Sequence, residues 1–128
     1  MKELNSINSL KVSLDEKQGK DKQLLVNYIR KTIKKKTGLT YGQLLKHRTQ
    51  SERYRIGLRY FTTTNKAICE ALNIPVEAGT RRKRKLEKAG LLVSTPNKEI
   101  CPYTGAKAHY YTTNKALFYA IINYKTDK

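Results

Sequence analysis

Pro75 and Gly90 bracket the stretch that most narrows what this chain can become. Proline lacks an amide hydrogen and is accepted at the start of a helix, not inside one. Glycine adopts the left-handed backbone that ends a helix. The residues between them, from about Val76 to Ala89, read as one helix. Upstream, Thr64 or Asn65 caps a helix running to about Asn73, with Ala67, Ile68, Ala71 and Leu72 as its buried face. Asn73-Ile74-Pro75 breaks the two apart, and Leu91-Leu92-Val93 reads as a short strand after the second. Two helices joined by so tight a break and followed by a strand leave few folds open.

The bracketed helix carries five consecutive cations, Arg81 to Lys85. At about 100° per residue, Ala78, Gly79, Leu86 and Ala89 fall toward a core, and Thr80, Arg81, Arg84 and Lys88 project away. Lys83 and Lys85 lie on the flanks. Arg82 sits near the core side, its stem packed and its head emerging at the edge. The run belongs to a chain-wide bias: 27 Lys and Arg against 10 Asp and Glu, a net charge of +17 on 128 residues. Self-repulsion at that density opposes compaction and points to a polyanionic partner, nucleic acid first and an anionic membrane surface second. From Lys22 to Ser51 there is no acid at all.

Other classes are excluded by what the chain lacks. No window approaches the roughly 18 apolar residues a membrane span needs, so no membrane partner is expected. The first residues have no apolar core of secretory-signal length and include Glu3, Asp15 and Glu16. A cytoplasmic, nucleoid-associated location is therefore expected. Cys69 and Cys101 form no CxxC pair, and the histidines do not cluster. They read as small apolar packing residues, with no disulfide, metal, cofactor or small-molecule ligand expected. There is no Gly-rich phosphate loop, no paired carboxylates and no nucleophile–base set, so an enzyme is not expected.

Along the chain, residues 1–20 are polar, with weak alternation in Ile7, Leu10, Val12 and Leu14, and read as a flexible arm. A helix from about Lys22 to Lys36 carries the apolar stripe Leu24, Leu25, Tyr28, Ile29 and Ile33, and Gly38 stops it. Thr40 caps a short helix to about Arg48 with Leu44 and Leu45 inward. Tyr54, Ile56, Leu58 and Tyr60 alternate with Arg53, Arg55, Gly57 and Arg59, which predicts a strand, with a helix over 51–61 as the alternative. Ser94 to Lys107, with Pro96, Asn97, Pro102 and Gly105, reads as a loop or hairpin arm. Ala108 to Thr112 returns as a strand. Its Tyr110 and Tyr111 face opposite ways, one to the core and one offering a hydroxyl to phosphate. Thr113 or Asn114 caps a last helix with Leu117, Phe118, Ile121 and Ile122 apolar. Thr63-Thr64-Asn65-Lys66-Ala67 recurs as Thr112-Thr113-Asn114-Lys115-Ala116; both sites end an extended segment and cap a helix.

This order, over Phe61 to Phe118, resembles the winged helix-turn-helix DNA-binding superfamily. The stretch NKAICEALNIPVEAGTRRKRKLEKAGLLV carries the resemblance. Leu86-Glu87-Lys88-Ala89-Gly90-Leu91-Leu92 looks like the end of a recognition helix entering the first wing strand. Cys101 to Ala108 resembles wing loops of small regulators on phages and mobile elements. The implied fold is α+β, mainly α: a three-helix core plus a β-hairpin wing, with extra N-terminal and C-terminal helices, in one domain over 21–128. The implied function is that of a transcriptional regulator or a replication or recombination accessory factor, with double-stranded DNA as partner and a homodimer possible. Helix 77–89 would enter the major groove and the wing, 94–109, would meet the backbone. The contacts this implies are Thr80, Arg81, Arg82, Lys83, Arg84, Lys85 and Lys88 on the helix, and Lys98, Lys107 and His109 on the wing. The chain departs from the family in one respect: recognition helices usually mix Ser, Thr, Asn and Gln with fewer cations. Five in a row favour phosphate contact over base readout. The competing classes are an RNA- or ribosome-associated basic protein and a winged helix that binds protein.

Overall fold

The computed structural model describes residues 22–125; the expected arm at 1–20 lies outside them. Helix α1 (Lys22–Thr37) buries Leu25, Val26, Ile29 and Ile33. The expected stripe is thus rotated: Val26 is inside, while Leu24 and Tyr28 are 40% and 49% exposed. Tyr28 contributes only a ring edge against Phe61, at 5.5 Å. Helix α2 (Tyr41–His47) starts on a capping box in which Thr40 and Gln43 satisfy each other's backbone amides. Leu44 is buried and Leu45 half-buried.

Helix α3 (Gln50–Tyr60) replaces the expected strand at 54–60. Two causes are visible. Thr49 and Glu52 form a second capping box that starts a helix here. The buried set is Arg53, Tyr54, Gly57 and Leu58, a helical face. The alternation misled because it assigned Arg53 and Gly57 to solvent. Arg53 is 7% exposed, and its guanidinium donates to the carbonyls of Leu72, Arg48 and Asn73 at 3.0, 2.9 and 3.3 Å. Gly57 lies where a Cβ would come within 3.0 Å of Leu72 and Ile68.

Helix α4 (Asn65–Leu72) is capped by Thr64 and ends on Asn73, whose φ of 57° is the left-handed turn. Helix α5 (Val76–Lys88) follows Pro75 and ends at Gly90, φ 74°. Leu91 still donates to the Leu86 carbonyl at 2.8 Å, so the next strand begins two residues later than expected. Strands β1 (Val93–Ser94) and β4 (Tyr111–Thr112) pair antiparallel, as do β2 (Glu99–Ile100) and β3 (Lys107–Ala108). They form the base and the outer part of one hairpin arm. Thr63 bridges Tyr111 on the other side of β4. Asn114 caps a 3-10 turn (Lys115–Leu117) that runs into helix α6 (Phe118–Ile122). The recurrent pentapeptide therefore has a shared setting: its two extended segments lie side by side. The capping differs, by Thr64 in one copy and Asn114 in the other.

The main core joins α1 to α5 with Leu92 and Tyr111; a smaller cluster holds Leu117, Ile121 and Tyr124. Both α1 and α5 pack against α3 and α4 but make no substantial contact with each other. Helices α1 and α5 thus share the α3–α4 pair as support without packing on each other. Among the described residues, no helix is long and apolar enough to cross a membrane.

Candidate nucleic-acid interface

The position of α5 follows from a missing side chain. A Cβ on Gly79 would overlap Cys69 Sγ and sit 3.0 Å from Asn65 Oδ1, so the α4–α5 approach depends on glycine. Polar groups fill the same contact. Tyr54 donates its hydroxyl to Asn65 Oδ1 at 2.8 Å, and Cys69 Sγ donates to the same oxygen at 3.7 Å. Asn65 Nδ2 reaches Thr80 Oγ1 at 3.4 Å. Burial is the main cause that drives the Tyr54 hydroxyl well above its ordinary pKa and pushes the Cys69 thiol up to about 12. Both stay protonated and serve as donors.

Thr80 therefore leaves the list of outward residues. Its hydroxyl donates to the Val76 carbonyl and accepts from Asn65, facing α4 rather than solvent. Ala89 is also misassigned: it is exposed, because the helix ends beyond its last packing residue, Leu86. The inward residues on α5 are otherwise as expected. Ala78 and Gly79 are buried, and Leu86 is packed on the core. Arg82 is half-buried, with its Nε buried and without a hydrogen-bond partner. Lys83 leans toward the sheet, 5.2 Å from the centre of the Tyr111 ring, with Glu87 at 3.9 Å. Arg81, Arg84, Lys85 and Lys88 are exposed together, accompanied at the N-terminal end by the exposed Glu77.

The hairpin arm is less free than expected. Lys98 and Lys107 are exposed. His109 is half-buried with Nδ1 2.8 Å from the Thr95 carbonyl oxygen, so it ties the hairpin together and is not an open contact. Tyr110 and Tyr111 are both buried, against the expectation that one would face out. The Tyr110 hydroxyl donates to the Ile100 carbonyl at 2.8 Å. The extra residues between β1 and β2 break the simple two-face alternation, which explains the miss. The tip folds back onto the helices. Cys101 is 1% exposed with Sγ 2.9 Å from Thr64 Oγ1, and the Tyr103 hydroxyl donates to Glu70 Oε1 at 3.3 Å. Lys22 lies over the Tyr103 ring at 4.8 Å. Burial and the Glu70 carboxylate raise the Tyr103 pKa.

Two cations that the sequence counted toward a polyanion are spent inside the fold. Arg30 Nε donates to the Ala71 carbonyl at 2.8 Å and its guanidinium stacks 3.5 Å over Tyr41. With Arg53 it caps the C-terminal end of α4, the negative end of the helix dipole. Asn65, Tyr54, Arg30 and Arg53 were not singled out from sequence; the Thr64-Asn65 cap was the one available signal. Among the described residues, no group of three His, Cys, Asp or Glu is arranged to hold a metal ion. What the site offers chemically is therefore a rigid helix with a cationic outer side. Comparison of the chain with known protein families, with curated proteins and with solved structures finds no match.

Proposed function

We propose that this chain is a duplex-DNA-binding protein of winged helix-turn-helix build, serving as a transcriptional regulator or an accessory factor of replication or recombination. The observation that carries the reading is the outer side of α5, where Arg81, Arg84, Lys85 and Lys88 are all exposed on a helix fixed by the Gly79 contact. A helix of this width fits the major groove, where Arg reads guanine edges and Lys meets phosphates. The connectivity supports it: α3, the Thr63 bridge, α4, α5, then β1 and β4, with Thr63 and Ser94 on either side of Tyr111. That is the strand order of a winged helix. Lys98 and Lys107 add phosphate contacts from the hairpin arm.

The test begins with selection of bound sequences from random duplexes. Arg84→Ala is expected to weaken binding to a selected duplex by about 1–3 kcal/mol and to a scrambled one much less. Lys107→Ala is expected to weaken both equally. Equal losses for Arg84→Ala on the two duplexes would reduce α5 to a phosphate grip. Absence of duplex binding at low salt, or strong preference for structured RNA in competition, overturns the reading.

A further inference from the structure

We propose that the outward face of α1 is a second nucleic-acid surface, which takes the phosphate backbone of one duplex while α5 holds another, so that a single chain bridges two duplexes. The proposal rests on the reading of α5 above. Its own observations are separate. Lys31, Lys34 and Lys35 fall at about 180°, 120° and 220° from Lys22 around α1, opposite the buried Leu25, Val26, Ile29 and Ile33. All three are exposed, as are Lys36 at the helix end and Lys46 on α2.

Among the described residues, no acid is paired with this group. The ion pairs among the described residues join Lys66 to Glu70, Lys83 to Glu87 and Lys125 to Glu99, and none involves α1 or α2. A lysine or two in the last turn would satisfy the helix dipole. Here Lys31 stands three and four positions from Lys34 and Lys35, spacings at which like charges repel and weaken the helix. Lys31 adds repulsion to that last-turn group, and a row of phosphates relieves it.

Direction separates the two surfaces. Since α1 and α5 each pack on the α3–α4 pair and not on one another, we place their outer sides on opposite faces of that pair, a layer about 10 Å thick. A straight duplex seated on α5 does not reach Lys31, Lys34 and Lys35. A second duplex does.

The experiment loads the full chain onto a bead-bound selected duplex and then offers a second, fluorescent duplex. The wild-type chain should carry the second duplex onto the beads. Lys31→Ala/Lys34→Ala/Lys35→Ala, at equal loading and with an unchanged melting curve, should carry about tenfold less, because several phosphate contacts are lost. Its affinity for a single short duplex should stay within about twofold of wild type, because that site keeps its own phosphate contacts. Three results overturn the proposal. The first is that the wild type captures no second duplex. The second is that the triple variant captures as much as the wild type, as a dimer bridging through two copies of α5 would. The third is that single-duplex affinity falls in step with capture, placing α1 on the same surface as α5. Failure of the α5 reading looks different: Arg81→Ala/Arg84→Ala would leave loading of the first duplex unchanged.

Discussion

Gly79 and Cys69 meet where α5 is seated on α4, and each is sized for the other. Gly79→Ala introduces a Cβ into the space of Cys69 Sγ. Overpacking of this kind costs about 1–3 kcal/mol. Cys69→Ala leaves a small void and removes one donor to Asn65 Oδ1. Combined, the two changes should partly cancel, since the sulfur that the new methyl strikes is gone. Denaturant melts of both single variants and the double variant should give a coupling of about 1 kcal/mol or more in the stabilising direction. Strict additivity would mean that α5 does not sit this close to α4. Thr80 depends on the same contact. Its hydroxyl is engaged by Val76 and Asn65, so it helps to hold α5 on α4.

At the scale of elements, the hairpin arm divides into a base bonded to β4 and a tip anchored on α4. Tyr103 is the anchor, through its hydrogen bond to Glu70 and its place against the core. Tyr103→Ala should speed hydrogen exchange at the Cys101 and Gly105 amides, which close the tip turn, while the α3 and α4 amides stay protected. Equal acceleration throughout would show that the tip is part of the cooperative core. The elements also show what was legible in the sequence. The break at Asn73–Pro75, the Thr40 and Thr64 caps and the Gly90 stop are local signals, and helices α2, α4 and α5 appear within a residue or two of where they point. Helix α3 was harder to read because its buried face contains an arginine and a glycine. Nothing local announces that Arg53 will turn inward to cap another helix, for its acceptors are Leu72 and Asn73, far along the chain. The same holds for the candidate site. The cationic run was plain, and the inward turn of Thr80 and the closure of His109 on Thr95 were not, since each depends on a partner brought in by tertiary packing.

For the whole molecule, net charge overstates what one duplex can meet. Arg30 and Arg53 are committed to α4, and the exposed α1 lysines are proposed above to serve a second duplex. On the proposed reading, the cations of α5 and the hairpin arm that meet a single short duplex are Arg81, Arg84, Lys85 and Lys88 with Lys98 and Lys107. With about five phosphates neutralised, log affinity should fall against log salt with a slope of about −4 to −5. Fluorescence anisotropy of a labelled duplex across a salt series measures it. A flat dependence would remove electrostatics as the source of affinity, and a much steeper one would mean that the duplex wraps onto α1.

The threonines at the end of β4 carry a temporal consequence. Thr112 and Thr113 donate their hydroxyls to the Leu58 and Arg55 carbonyls, 54 and 58 positions earlier. Contacts between distant positions cost loop-closure entropy before they return any stabilisation. During synthesis the helices up to α5 emerge from the ribosome well before these threonines do. The nascent chain thus presents its cationic helix while the carbonyl end of α3 still lacks its closing partners. Docking of the returning strand is the step that completes the domain.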